Sequence, residues 1–388
     1  MRIQIIAGML IWLCGFVCAD EALIIGRNIW MTANGDSALR GRTEVSISSK
    51  LERAWRADVP GAVMNTPVAG EKMIFVTAGG QTIAALDLNG QIVWQQTIQR
   101  EMSAGGAART VSFSAPLLYA QGHLIAASER GTIYAIRAAT GDTVWTTDIR
   151  GEVQGQPQFA AAAGDQPDRV FILSQQQGVI YALNLADGKL LWKSAETTRT
   201  DGHPACDGTD IVTGNCAAGF NGFSAMNGLE SFFIHVGDGC EMAGGVAIDG
   251  RQGFGGNREG SVAAADFDKQ EILWLNEDSS GEMFTTPAVS ADKVVFCGGD
   301  GIIYCLNRAD GTKIWEYETP GLQPQSPVIA GDKVIAVTDG SIYLLNLSDG
   351  NELWKANVSD WLTSPAVFEG LVIVGSGEGH VVAFKPGE

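Results

Sequence analysis

A short phrase ending in tryptophan returns along this chain. Leu183-Asn184-Leu185-Ala186-Asp187-Gly188-Lys189-Leu190-Leu191-Trp192 is matched by Leu306-Asn307-Arg308-Ala309-Asp310-Gly311-Thr312-Lys313-Ile314-Trp315. It is matched again by Leu345-Asn346-Leu347-Ser348-Asp349-Gly350-Asn351-Glu352-Leu353-Trp354, and in a shorter form by Leu86 to Trp94. A period of about 40 residues means stacked copies of one small unit that cannot bury its apolar face alone. Most residues of the phrase therefore build the fold.

Each copy follows one grammar. A small residue and a proline open it, a β-branched run follows, then glycine, a second apolar run, a turn and the tryptophan strand. The opening prolines are Pro67, Pro116, Pro157, Pro204, Pro287, Pro327 and Pro365, and Gly244-Gly245-Val246 stands in the place of an eighth. These openings fall 38 to 49 residues apart. The copy beginning at Thr286 predicts strands Thr286–Val289, Lys293–Cys297, Ile302–Leu306 and Lys313–Glu318, with Gly311 suited to the positive φ of the last turn. Four antiparallel strands repeated around an axis form a β-propeller blade. The expected fold is all-β, an eight-bladed propeller.

The last copy stops after Phe384 and lacks its tryptophan strand. Arg53-Ala54-Trp55-Arg56-Ala57-Asp58-Val59 is a tryptophan strand with no blade before it. The two halves together predict that the N-terminal strand completes the eighth blade, which removes the open edges of an unclosed ring. The ring then spans 51–388, and 20–50 is an N-terminal extension in which Trp30 is a candidate plug. The fourth copy departs from the pattern, with Phe232 where tryptophan is expected.

Residues 1–19 read as a secretory signal: Arg2, an apolar run from Ile3 to Val17, and small residues around Cys18-Ala19. The run is shorter than the roughly 20 residues of a spanning helix, and no other segment is long and apolar enough. Cys18 is an alternative lipidation point. The expected location is outside the cytoplasm, periplasmic or secreted, possible placements including the periphery of the outer membrane, where thiols are oxidised. Five cysteines then remain (Cys206, Cys216, Cys240, Cys297, Cys305), an odd number that leaves at least one free or paired between chains. The formal net charge of −18 repels nucleic acid and anionic lipid, and favours protein partners or cations.

The unit Gly-x-Ile-Tyr-Ala-Leu-Asn followed by Gly and Trp stands here as Gly131 to Ile136 with Trp145, Gly178 to Asn184 with Trp192, and Gly301 to Asn307 with Trp315. It resembles the repeat of the pyrroloquinoline-quinone (PQQ) propellers. The resemblance covers nearly the whole chain after the signal. One branch of that family, the quinoprotein dehydrogenases, implies PQQ and Ca²⁺ at the ring centre, often with an adjacent-cysteine disulfide. This chain has no Cys-Cys pair and no Cys-x-x-Cys-His haem site, which disfavours PQQ. The other branch, the cofactor-free BamB-like outer-membrane assembly factors, is similar in size and single-ring architecture. It implies a non-catalytic, monomeric scaffold that binds a protein partner of the cell envelope. The alternatives are a PQQ/Ca-dependent dehydrogenase and a propeller binding Ca²⁺ or a small ligand.

In a propeller the loops joining one blade's last strand (D) to the next blade's first (A) share a face with the B–C turns. Glu241 and Glu282 fall at equivalent places in two D–A loops, and Glu152 in a third, a candidate Ca²⁺ set of hard oxygen donors. His203, His235 and Asp238, with Asp201, lie on the same face, where imidazoles and carboxylates suit Zn²⁺. Met242, Met283 and Trp361, with Met64, form a candidate apolar patch for a partner peptide. Cys216 and Cys240 are the candidate disulfide. No Ser/His/Asp or Cys/His catalytic signature stands out.

Overall fold

The computed structural model describes residues 29–102, 106–149 and 151–387. Residues 1–19, expected to be a signal, lie outside the described residues, and with them Cys14 and Cys18. Eight four-stranded antiparallel blades form the ring, and no helix among the described residues is long and apolar enough to cross a membrane. In the blade that opens at Pro287 the strands are Ala288–Val289, Lys293–Cys297, Ile302–Asn307 and Lys313–Glu318, close to the sequence expectation. Blades 1 to 7 follow the chain from Val68, and blade 8 is composite. Its outermost strand is Leu51–Asp58, paired antiparallel with His380–Pro386 so that Trp55 faces Ala383.

The repeat is legible in the strand register. Trp94 faces Ala85, Trp145 faces Ala135, Trp192 faces Ala182, Trp274 faces Ala264 and Trp315 faces Cys305. The register shifts by a bulge directly after each of these pairs. A bulge tightens the local twist of the strand that carries the ring. A small partner leaves the indole free to lean onto the next blade. There it meets the C–D turn, where Gly188 (φ 69°) lies under Trp145. A Cβ at Gly188 would stand 2.4 Å from the Trp145 ring, so this turn needs glycine both for its positive φ and for the close approach. Trp145 also donates Nε1 to the Leu185 carbonyl at 2.8 Å. Phe232 occupies the corresponding place in blade 4, opposite Gly222. It stacks on Phe267 at 4.7 Å, and the turn below it carries Gln270 (φ 55°) in place of glycine.

The segment before the ring runs around its inside. Inner-strand N–H groups donate to it in blade order: Ala69 to the Trp30 carbonyl, Tyr119 to Met31, Cys206 to Ser37, Ile248 to Ala38, Val289 to Arg40 and Ile329 to Gly41, at 2.6–2.9 Å. Phe159 of blade 3 donates to Ser37 Oγ at 3.1 Å. Arg42–Thr43 then adds a parallel fifth strand inside blade 7. The contacts fall toward the A–B turns, away from the D–A loops, and Trp30, Met31 and Leu39 are buried there. Asp249 of blade 5 fixes this belt, taking Arg42 at 3.1 Å and Arg308 of blade 6 at 2.5 Å.

Candidate functional site

The D–A face carries a charged cluster at blades 3 to 6 whose centre is Arg258, in the B–C turn of blade 5. Its guanidinium reaches Asp201 at 2.8 Å, Glu282 at 3.0 Å and Glu241 at 3.7 Å. Asp201 also accepts from Arg199 and Gln175, both at 2.7 Å. Burial opposes ionisation of Asp201, yet the hydrogen bonds from Arg199, Gln175 and Arg258 hold its carboxyl below the usual range. Arg258 is stabilised as a cation first by its hydrogen bond to Asp201. Its guanidinium carbon lies 5.3 Å from the Phe284 ring centre, within cation–π reach.

Glu241 and Glu282 thus converge as the sequence suggested, but on a guanidinium. Glu152 stays apart: it accepts from Gln154 at 2.6 Å within its own loop. Among the described residues no group of three or more His, Cys, Asp or Glu is placed to hold a metal ion. Two carboxylates closed by arginine do not offer this cluster as a Ca²⁺ site. Arg199 and Arg258 are not among the candidates of the sequence, which are acids, imidazoles, thiols and apolar side chains. The signal was present, because B–C turns and D–A loops share this face.

The histidines do not form a set. His235, the last residue of its strand, lies 3.8 Å from Asp238 in the loop that follows, and both are exposed. His203 is half-buried at the opening of blade 4, where its Nδ1 accepts the Gln156 N–H at 3.1 Å. Ser326 and Ser364 do the same work between blades 6 and 7 and between 7 and 8, at 2.9 and 3.0 Å. His203 is therefore a latch between blades, and burial pushes its imidazole down to about 4. With a folded value below the ordinary 6.5, the unfolded chain holds a proton that the folded chain refuses in that window. Stability is then lost as pH falls from about 6.5 to about 4. His203→Ser, which restores the hydroxyl latch, is expected to reduce that acid loss by on the order of 2 kcal/mol. Urea titrations near neutral pH and near pH ~4 measure it; an unchanged acid loss would clear the histidine.

Two members of the expected apolar patch are core residues. Met242 and Met283 are each 1% exposed. Met242 fits against Gly214 and Gly255, and Met283 against Gly256, where added Cβ atoms would stand 2.3–2.6 Å away. Glycines inside strands mark such close approaches, and this was the missed signal. Trp361 remains half-buried on the face. Its apolar companions are Met64, Phe284 and Leu322, exposed by 56%, 53% and 69% in the D–A loops of neighbouring blades 1, 6 and 7. An apolar arc over blades 6, 7, 8 and 1 therefore abuts the Arg258 cluster.

The cysteines are all free among the described residues, so Cys216 and Cys240 are not joined. Cys216 neighbours Asp201 and Glu241, whereas Cys240 lies by Glu259 and Asn257. Burial raises the Cys206, Cys297 and Cys305 thiols to about 12, which makes them packing groups.

Comparison with known proteins gives the ring a family. The profile of the outer membrane protein assembly factor BamB matches residues 45–112, 81–231 and 176–386. The chain is 26% identical over 343 residues to BamB of Burkholderia pseudomallei, covering 76% of this chain and 88% of the relative. It is 23% identical over 262 residues to BamB of Bordetella pertussis, covering 66% of this chain and 55% of that protein's length. BamB from Moraxella catarrhalis superposes with a TM-score of 0.70 at 18% identity, over 87% of this chain and all (100%) of that one. Quinohemoprotein alcohol dehydrogenase from Comamonas testosteroni reaches 0.73 at 13% identity, over 93% and 81%. Likeness at such identities establishes the fold alone. The profile match spans most of the chain, and on it the chain belongs to the family of the outer membrane protein assembly factor BamB, built on PQQ-type repeats.

Proposed function

We propose that this propeller is an exported, non-catalytic scaffold that acts in the periplasm, at the periphery of the outer membrane, in the assembly of outer-membrane proteins. It docks a protein partner on its D–A face. The observation that carries the reading is the adjacency of the Arg258 cluster to an exposed apolar arc. Apolar anchors beside a half-buried arginine are the groups that dominate binding energy at protein interfaces. The cluster is internally paired but partly exposed, with Arg258 28% and Glu282 56% accessible, so its charges remain available to exchange partners. The names of the relatives support the assembly role, and the N-terminal pattern supports export.

The test is partner capture from an envelope extract at low salt, because exposed charge contacts are screened as salt rises. Arg258→Ala and Phe284→Ala are each expected to weaken capture of the dominant partner by at least about 10-fold. Their thermal midpoints should stay within about 3 °C of the parent, since Phe284 is exposed and Asp201 keeps Arg199 and Gln175 as donors when Arg258 is removed. Capture unaffected by either substitution would remove this face from the interaction.

A further inference from the structure

The tryptophan of one blade makes the same contact with the next at five junctions; at a sixth, Trp192 lies against Gly228 with its Nε1 buried and unpaired. Trp55, Trp94, Trp145, Trp274 and Trp315 each donate Nε1 to a carbonyl in the neighbouring C–D turn at 2.8–3.0 Å. Each ring also lies against that turn's glycine. Trp354 cannot repeat this. Its neighbour is blade 8, where no covalent C–D turn exists: the two chain ends meet instead, with the Gly387 N–H on the Lys50 carbonyl at 2.9 Å. The Trp354 ring packs edge-on against Phe384 at 5.4 Å. Its indole N–H is neither buried nor given an acceptor among the described contacts.

The missing turn leaves a groove of about 320 Å³ on the outer wall between blades 7 and 8. Leu51, Trp354 and Phe384 supply its apolar lining, and Arg53, Arg56 and Ser359 also face it. Arg53 is exposed and has no ion-pair partner among the described residues. Arg56 is shared with His380 and with Asp58, the latter at 3.8 Å. The Ser359 hydroxyl is buried without a partner. Glu52, the acid in the lining, is drawn off by Lys385 at 3.1 Å. An aromatic wall with surplus donors and a free guanidinium stands out on a chain of net charge −18.

We propose that this seam binds a small amphipathic carboxylate. Its apolar body lies against Trp354 and Phe384, and its carboxylate accepts from Arg53, Arg56 and Ser359. The volume lies at the lower end of small-molecule sites, roughly 300–1,000 Å³. Charge-assisted bonds to guanidinium are the strong polar contacts available to such a ligand. The site lies on the ring's outer wall and does not depend on the partner face.

Titration calorimetry on the mature full chain tests it with three probes. Hydrocinnamate is expected to bind with a dissociation constant of about 0.1–1 mM. Hydrocinnamamide, which lacks the charge, and acetate, which lacks the ring, should each bind at least about 10-fold more weakly. Arg53→Gln should cost hydrocinnamate about 10-fold, and Trp354→Phe, which keeps a ring but trims the apolar wall, about 3-fold. Equal binding of acid and amide, wild-type affinity in Arg53→Gln, or no binding at about 10 mM would each overturn the proposal.

Discussion

Deletion of residues 30–43 is expected to lower the thermal midpoint by at least about 10 °C, followed by circular dichroism of the β-sheet signal. This segment gives the inner strands of blades 1 to 7 an acceptor for one N–H each. An inner strand has a partner on its outer side only, so its other edge must be covered, wetted or left unsatisfied. Trp30 is 2% exposed and Leu39 fully buried, in clusters that join blades 8, 7 and 1 and blades 4 and 5 respectively. Removing one buried tryptophan side chain typically costs on the order of 3–5 kcal/mol. In a large domain about 2–4 °C of melting temperature corresponds to each kcal/mol. Trp30→Ala alone should therefore account for much of the loss. A deletion variant that melts within about 3 °C of the parent would mean that the ring stands without its belt.

The architecture was legible because a tryptophan phrase, a turn glycine and an opening proline recur together. Blade closure was legible for a simpler reason: a strand was missing at one end and supernumerary at the other. The site was legible only in part. Glu241 and Glu282 lie near one another because equivalent loop positions converge in a ring. What they converge on was not legible, because Arg258 comes from a B–C turn and carries no repeat signature. Met242 and Met283 misled, since a loop methionine reads as exposed until the strand glycines that receive it are set beside it. The belt has no periodicity at all. Its bonds use backbone groups, which any sequence supplies, so only Trp30 hinted at it.

The tryptophan-on-glycine contact yields a second large effect, and the chain contains its own control. Gly188→Gln is expected to destabilise the ring by about 3 kcal/mol. Part of this is the left-handed backbone, about 1–2 kcal/mol for a residue with a Cβ. The rest is overpacking, because a Cβ there would meet the Trp145 ring at 2.4 Å and Thr147 Oγ1 at 2.7 Å. Blade 5 tolerates Gln270 at the same turn position, with φ 55°, and there the residue above it is Phe232. The smaller ring stacks on Phe267, itself a residue of that turn, at 4.7 Å and 23°. If the exceptions at 232 and 270 compensate one another, moving both to the blade 2–3 junction should also compensate. Trp145→Phe alone should cost about 1–2 kcal/mol, from the lost Nε1 bond to Leu185 and the lost ring area. Combined with Gly188→Gln, the cost should fall short of the sum by about 1–2 kcal/mol, the coupling expected of side chains in direct contact. Urea denaturation of the parent, both single variants and the double variant gives the cycle. Strict additivity would mean that the phenylalanine and the glutamine arose independently and that the glycine is required by its turn alone.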